Sequence, residues 1–576
     1  MARQWACRRL LATMLAFFAL LPVTAAAQGV VTAIQDAYCL GDRSNISFGC
    51  SANDFTANVN FTQPPGGLDS CTAGEYVVVD VIGSFASGSA QRYDASFWVG
   101  QDGNLPSDNK LQGANNDLQR CSMAPFPTSP TPFYSQDTDT CGEYAGNSTG
   151  TLQMNQVKVL CEALSATDNR LRLNFAVAWY NNNSQTCSAS TATAGTASKC
   201  FSSTVGGLTG VTTQGYIRLT KQALPSGDPS TFNFTTTSTF GTVTWRNPDN
   251  TSTTGTLTGG QTKLVRAPLP TSGNPTQILT VTETALGGWD PTVAIVCTTP
   301  GGAPASYVTI NNATRTISAN LTGVNYGAVC TITNRKLPTV KVAKTTVGAP
   351  ATVQAWNFAF TGVDSTTPET LTTNGNQTVA STVLHTGAVG VAASIAETAV
   401  AGYDTAYTCT DANAARTLNN PFSGTGTVIP ATGAGGLTAD RMNPGAEWVC
   451  TFTNTKRATL TIAKTTLSGT GGAFHFSGSN GVVDPAGGLT TTVAGTPVAG
   501  ATQLLTANST PTSVQEATPP AGWILSGIQC TGLGAGGTAT TTINGAAGGM
   551  STWMRPPPRP AATSSAPSST RPPRRG

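Results

Sequence analysis

The chain has 576 residues, of which only 10% are charged, and its net charge is +3. Neither a basic field for nucleic acid nor an acidic solvating run is present, so no nucleic-acid partner is expected. Length leaves room for about four ordinary domains, and short β-branched runs between Gly, Ser, Thr and Asn turns predict an all-β protein.

Residues 1–27 read as a secretory signal. Arg3, Arg8 and Arg9 precede the apolar run Leu10 to Val23, and Ala25-Ala-Ala27 stands before Gln28. The run is too short for a membrane span, and Cys7 lies before it. The expectation is a secreted, extracellular or cell-surface chain with no membrane span in its mature form. Export makes disulfides the default state of its cysteines.

Residues 28–215 form the next region. It carries Cys39, Cys50, Cys71, Cys121, Cys141, Cys161, Cys187 and Cys200, whose pairing the sequence leaves open. Leu171 to Trp179 alternates apolar and other residues, while Glu75 to Ile82 reads as a more buried strand. A disulfide-rich β-sandwich-like domain is expected. Acidic residues recur at Asp102-Gly-Asn104 and Asp137-Thr-Asp139. Calcium binding in these loops is the alternative reading, but neither run completes a calcium loop, so the expectation is solvated turns, with no metal and no cofactor. No Ser-His-Asp or Cys-His set can be assembled in this region, because the chain's two histidines, His385 and His475, lie further on. The expectation is therefore no enzyme, and the ligand of this domain stays open.

The rest repeats. Cys330-Thr-Ile-Thr-Asn334 runs into Val340-Lys-Val-Ala-Lys344, and Cys450-Thr-Phe-Thr-Asn454 runs into Leu460-Thr-Ile-Ala-Lys464. With Ile217-Arg-Leu-Thr-Lys221, these phrases recur about every 120 residues, the period of whole domains. The units are 216–336, 337–457 and 458–550. Each has an aromatic pair (Phe232/Phe234, Phe358/Phe360, Phe474/Phe476) and a Glu before Gly-Trp or Gly-Tyr: Glu283, Glu397 and Glu516. The first two units own Cys297 with Cys330 and Cys409 with Cys450, expected to bond within each unit; the third holds only Cys530. Residues i and i+2 of a strand share a face. Lys221, Lys344 and Lys464 therefore sit on the apolar face, and so do Glu283, Glu397, Glu516, Asn334 and Asn454. A buried charge must be paired or neutralised.

The Lys-ended strand, the Glu-Thr-Ala-x-x-Gly-(Trp/Tyr) box and the closing Thr-Asn strand resemble the prealbumin-like domains, SpaA-like and Cna-B-like, of bacterial surface proteins and pilins. The resemblance implies three tandem prealbumin-like β-sandwiches, the last incomplete. It also implies an autocatalytic isopeptide bond from Lys221 to Asn334 with Glu283, and from Lys344 to Asn454 with Glu397. Lys464 and Glu516 lack their Asn. The plain alternative is a buried ion pair hydrogen-bonded to Asn. On this reading the chain is a bacterial structural or adhesive protein whose repeats present the N-terminal head to an unidentified host, matrix or cell-surface ligand. The alternative is a carbohydrate-binding or hydrolytic head on the same stalk.

From residue 551 to 576 composition turns to Arg and Pro, and this tail reads as disordered. It also reads as frameshifted. One frame over, the codons of Ser565 to Arg571 permit Cys-Thr-Phe-(Ile/Val)-Asn-Thr, close to the closing strand of the second repeat.

Overall fold

The computed structural model describes residues 28–40, 50–53, 55–101, 120–137, 139–183, 199–203, 207–364, 367–508, 510–533, 538–543 and 548–554. The predicted signal, Asp102 and Asn104, Cys187 and the chain beyond 554 lie outside them. Two compact units result, one formed mainly by residues up to Asn334 and the other mainly from Arg335 onward.

In the first unit the head is a sandwich. Strands Gln28–Thr32, Thr149–Leu160, Tyr76–Ser87 and Phe55–Thr62 lie side by side in one sheet; Lys199–Ser203, Phe175–Tyr180, Tyr93–Gly100, Arg120–Pro125 and Ile34–Tyr38 make the other. Phe55, Phe85, Phe97, Phe126, Tyr144 and Trp179 fill the space between them, each ring contributing about 1.5–3 kcal/mol of burial. The two strand expectations exchange character. Tyr76–Ser87 alternates, with Tyr76 and Val78 exposed, whereas Phe175–Tyr180 is buried at every position. The reason is a second cluster, of Cys39, Cys50, Trp98, Cys121, Met123 and Cys200, behind the second sheet. Cys39–Cys121, Cys50–Cys200 and Cys71–Cys161 are bonded, and Cys141 is disulfide-bonded too.

Strand Leu208–Leu224 belongs to both the head and the first repeat. Thr209 to Gln214 pairs with head strands, and Gln214 to Thr220 pairs with Thr262–Pro268 of the repeat. The expected boundary at 215/216 thus falls inside one strand. Gly215 stands at that boundary, yet it is buried and continues the strand instead of turning it.

Each complete repeat is two facing sheets. In the second, the lysine strand Thr339–Val347 pairs in parallel with the closing strand Glu447–Lys456. The opposite sheet holds Val353–Thr361 beside Ser394–Glu397, which carries the glutamate. In the first repeat Leu208–Leu224 pairs likewise with Gly327–Arg335. Cys297 pairs with Cys330 and Cys409 with Cys450 as directly opposed residues, and both pairs are bonded.

The third repeat is open. Its sheet of Phe476–Gly478, Thr512–Glu516, Gly549–Met554 and Thr538–Ile543 repeats the order of Thr231–Ser238, Gln277–Glu283, Thr316–Leu321 and Val308–Asn311 in the first. Gly549–Met554 is therefore the penultimate strand of the fold. The expected start of the disordered tail at 551 is corrected here, because Ser551, Thr552 and Trp553 pair with Val514, Ser513 and Thr512; the rest of that tail lies outside the described residues. Thr459–Leu460 and Ala463–Lys464 pair on one edge only, with Gln503–Leu504 and Val498–Ala499. Among the described residues no strand covers their other edge.

Candidate functional site

Each repeat buries a lysine from one sheet against a glutamate from the other. Strand register places them. Phe234 lies opposite Glu283, Phe358 opposite Glu397 and Phe476 opposite Glu516. The residue two positions earlier (Phe232, Trp356, Phe474) shares the inward face, and the lysine Nζ sits 4.1, 4.1 and 4.4 Å from its ring centroid. This corrects the aromatic pairing read for the second repeat. The equivalent pair is Trp356/Phe358, and Phe360 instead stacks on His385 at 3.8 Å. A Phe-x-Phe search passes over the tryptophan.

In the first repeat Lys221 Nζ is 3.5 Å from Glu283 Oε1, and neither side chain has exposed surface. Asn334 Nδ2 donates to the same Oε1 at 3.0 Å. Lys221 Nζ also donates to the carbonyl of Ile332 on the closing strand at 3.3 Å. In the second repeat Lys344 Nζ is 2.6 Å from Glu397 Oε1, again with no exposed surface on either side chain. Asn454 is fully buried against Glu397, and no well-aligned hydrogen bond reaches either of its amide atoms among the described residues. Parallel register sets Asn454 opposite Thr346, two residues beyond the lysine. Burial lowers Lys221 and Lys344 to about 8, although the facing carboxylates pull the other way. Burial likewise raises Glu283 and Glu397, against the pull of the lysines. Each pair is thereby biased toward a neutral amine beside a protonated acid. A neutral amine is a nucleophile, and a protonated acid polarises an amide. A nucleophilic amine, a proton-carrying acid and an asparagine amide are the three groups that an amide-forming cross-link with loss of ammonia would require.

The third copy has half of this. Lys464 Nζ contacts Glu516 Oε1 and Oε2 at 2.7 and 2.9 Å. Around them opens a cavity of about 1050 Å³, lined also by Ile462, Phe476, Cys530 and Ser551. Cys530 is a free thiol, with its sulfur 3.2 Å from Ser551 Oγ.

These features agree with a family match. The prealbumin-like fold domain family matches residues 217–336, 340–456 and 460–553. The chain belongs to the prealbumin-like fold domain family. Its third family copy stops at the same penultimate strand where the described third sandwich stops. Solved structures with similarity include an adhesin of Mobiluncus mulieris containing intramolecular disulfide, isopeptide and ester cross-links (10% identity, 49% of this chain and 99% of that one, TM-score 0.18). Others are the pilus adhesin SpaC of Lactobacillus rhamnosus GG (15% identity, 76% of this chain and 50% of that one, TM-score 0.22) and the Bacillus anthracis TIE protein (11% identity, 83% and 71%, TM-score 0.23). No curated protein matches the chain.

One sequence reading in the head is also corrected. Asp137 and Asp139 are not solvated turn residues; both are half-buried and converge with Asp94 and Glu143. Burial, then Asp139, Asp137 and Glu143, push the Asp94 carboxyl up to about 7. Sequence inspection missed Asp94 and Glu143 because neither sits in an acidic run.

Proposed function

We propose that this is a secreted or surface-displayed bacterial structural protein. Its prealbumin-like domains form a stalk that carries the N-terminal head to a ligand on a host, matrix or cell surface. The observation that carries the reading is the recurrence of one buried Lys–Glu–Asn set at equivalent strand positions: Lys221/Glu283/Asn334 and Lys344/Glu397/Asn454. A buried ion pair is poor material for stability alone; a self-formed cross-link between first and last strands is useful where a domain bears pulling force. In that step the lysine amine attacks the asparagine amide carbon, Glu283 or Glu397 relays the proton, and ammonia leaves. Proximity supplies most of the acceleration, and each domain reacts once, without turnover, so the chain is not an enzyme in the ordinary sense.

A hydrolytic head would need converging carboxylates open to substrate, whereas in the acidic group that converges among the described residues of the head Asp94 and Glu143 are 1% and 0% exposed. The adhesive reading is favoured accordingly. Binding of the labelled mature protein to arrays of glycans and matrix proteins tests it. Saturable binding to one class that is lost when the head is deleted is the expected result; turnover of an arrayed glycan instead would overturn the reading.

A further inference from the structure

In the head, strand Tyr93–Gly100 and the hairpin of Phe133–Tyr134 with Glu143–Tyr144 bring Asp94, Asp137, Asp139 and Glu143 together. One carboxylate oxygen from each lies within 4.8 Å of the others. That is the span of oxygens across one calcium shell, whose Ca–O distances are about 2.3–2.6 Å.

The loop orients these groups by using one oxygen of each acid it supplies. Asp137 Oδ1 accepts from the Asp139 amide, Asp139 Oδ1 from the Cys141 amide, and Glu143 Oε2 from the Gln136 amide. Asp137 Oδ2 and Glu143 Oε1 are left buried with no hydrogen bond among the described residues. Asp94 is 1% exposed; no well-aligned hydrogen bond reaches either of its oxygens from a described residue, and the side chain it faces most closely is another acid, Asp139. Buried acceptors in this state are costly, and more so when charged. The nearby Arg92 guanidinium is turned to the Gln91 carbonyl and lies 6.0 Å from the Trp179 ring centroid. Disulfide-bonded Cys141 holds the end of the loop.

We infer that Asp94, Asp137, Asp139 and Glu143 form a calcium site that fixes the 135–142 loop to the head. Hard oxygen donors alone, with neither His nor Cys in the group, select calcium over zinc. Magnesium prefers a tighter octahedron and keeps its waters.

The test uses the mature full-length protein stripped with EDTA. Calorimetric titration with calcium chloride should show one ion bound per chain, with a higher head melting temperature in calcium than in EDTA. Equimolar magnesium should not reproduce either effect. Terbium, which takes calcium sites, should luminesce on tyrosine excitation, since Tyr134 sits beside Glu143. Asp139→Asn should weaken calcium binding about tenfold or more, while Asp249→Asn, an exposed acid in the first repeat, should leave it unchanged. Asp94→Asn guards against misfolding as an explanation. In EDTA it should melt no lower than wild type, because it removes an acid that Asp139, Asp137 and Glu143 crowd, yet calcium should no longer raise its melting temperature. No heat and no melting shift at millimolar calcium would overturn the proposal, and so would binding unaffected by Asp139→Asn.

Discussion

Lys344 has no exposed side-chain surface, so its charge depends on what the fold places around it. If Asn454 captures the amine as an amide, the lysine stops titrating. In Asn454→Ala it stays an amine whose folded value, about 8, lies below its ordinary 10.5. Between those values the unfolded chain binds more protons than the folded one, so stability rises with pH. Asn454→Ala should therefore gain about 3 kcal/mol relative to wild type from pH 8 to 10.5. Denaturant melts of both proteins across that range check this, and parallel pH profiles would leave Lys344 an amine in wild type as well. The inward lysines, glutamates and asparagines were legible because strand alternation assigns a face without knowing the partner. Trp356 was not, since cross-strand register decides which aromatic meets the lysine. Asp94 was not either, because its companions come from a hairpin far along the chain.

At the scale of strands, the disulfides join directly opposed residues of neighbouring strands and close loops with separations of 33 and 41 residues. Cys409→Ser with Cys450→Ser should cost the second repeat about 3–4 kcal/mol in the chain-entropy model, read as a lower calorimetric transition for that domain alone. The open third repeat makes a sharper prediction. Its edge, uncovered among the described residues, its free Cys530 and its paired Lys464–Glu516 match what a strand like Glu447–Lys456 would meet. A peptide with the sequence of residues 446–457 should dock there. With glutathione disulfide as oxidant it should bond through its cysteine to Cys530, releasing two glutathiones. Through its asparagine it should bond to Lys464 with loss of ammonia. The second link should survive reductant and vanish in Lys464→Ala. A Cys530 that never pairs with the peptide would show that the groove does not accept a closing strand. That no described strand covers this edge was foreshadowed in the sequence by a third unit with a single Cys and no matching Asn. The position of the break was not, because Ser551 to Met554 reads as tail by composition yet continues a sheet. Resequencing the gene tests the shifted frame: a stop before the Asn-Thr codons would reject it.

At the scale of the molecule, the three repeats follow from period and motif order, but the junction of head and first repeat does not. Leu208–Leu224 runs through the expected boundary and hydrogen-bonds on both sides of it, so a fragment of residues 28–336 should melt in one calorimetric transition. Two resolved transitions would mean that the shared strand does not couple head and repeat. The central claim, that buried Lys–Glu–Asn sets lock first to last strands, meets its most direct test in the intact mass of the reduced mature protein. The account predicts a mass below the sequence value by two molecules of ammonia, one each for the first and second repeats. Glu283→Ala should recover one and Glu397→Ala the other. The full sequence mass in reduced wild type would contradict it and leave two buried ion pairs in place of two covalent clamps.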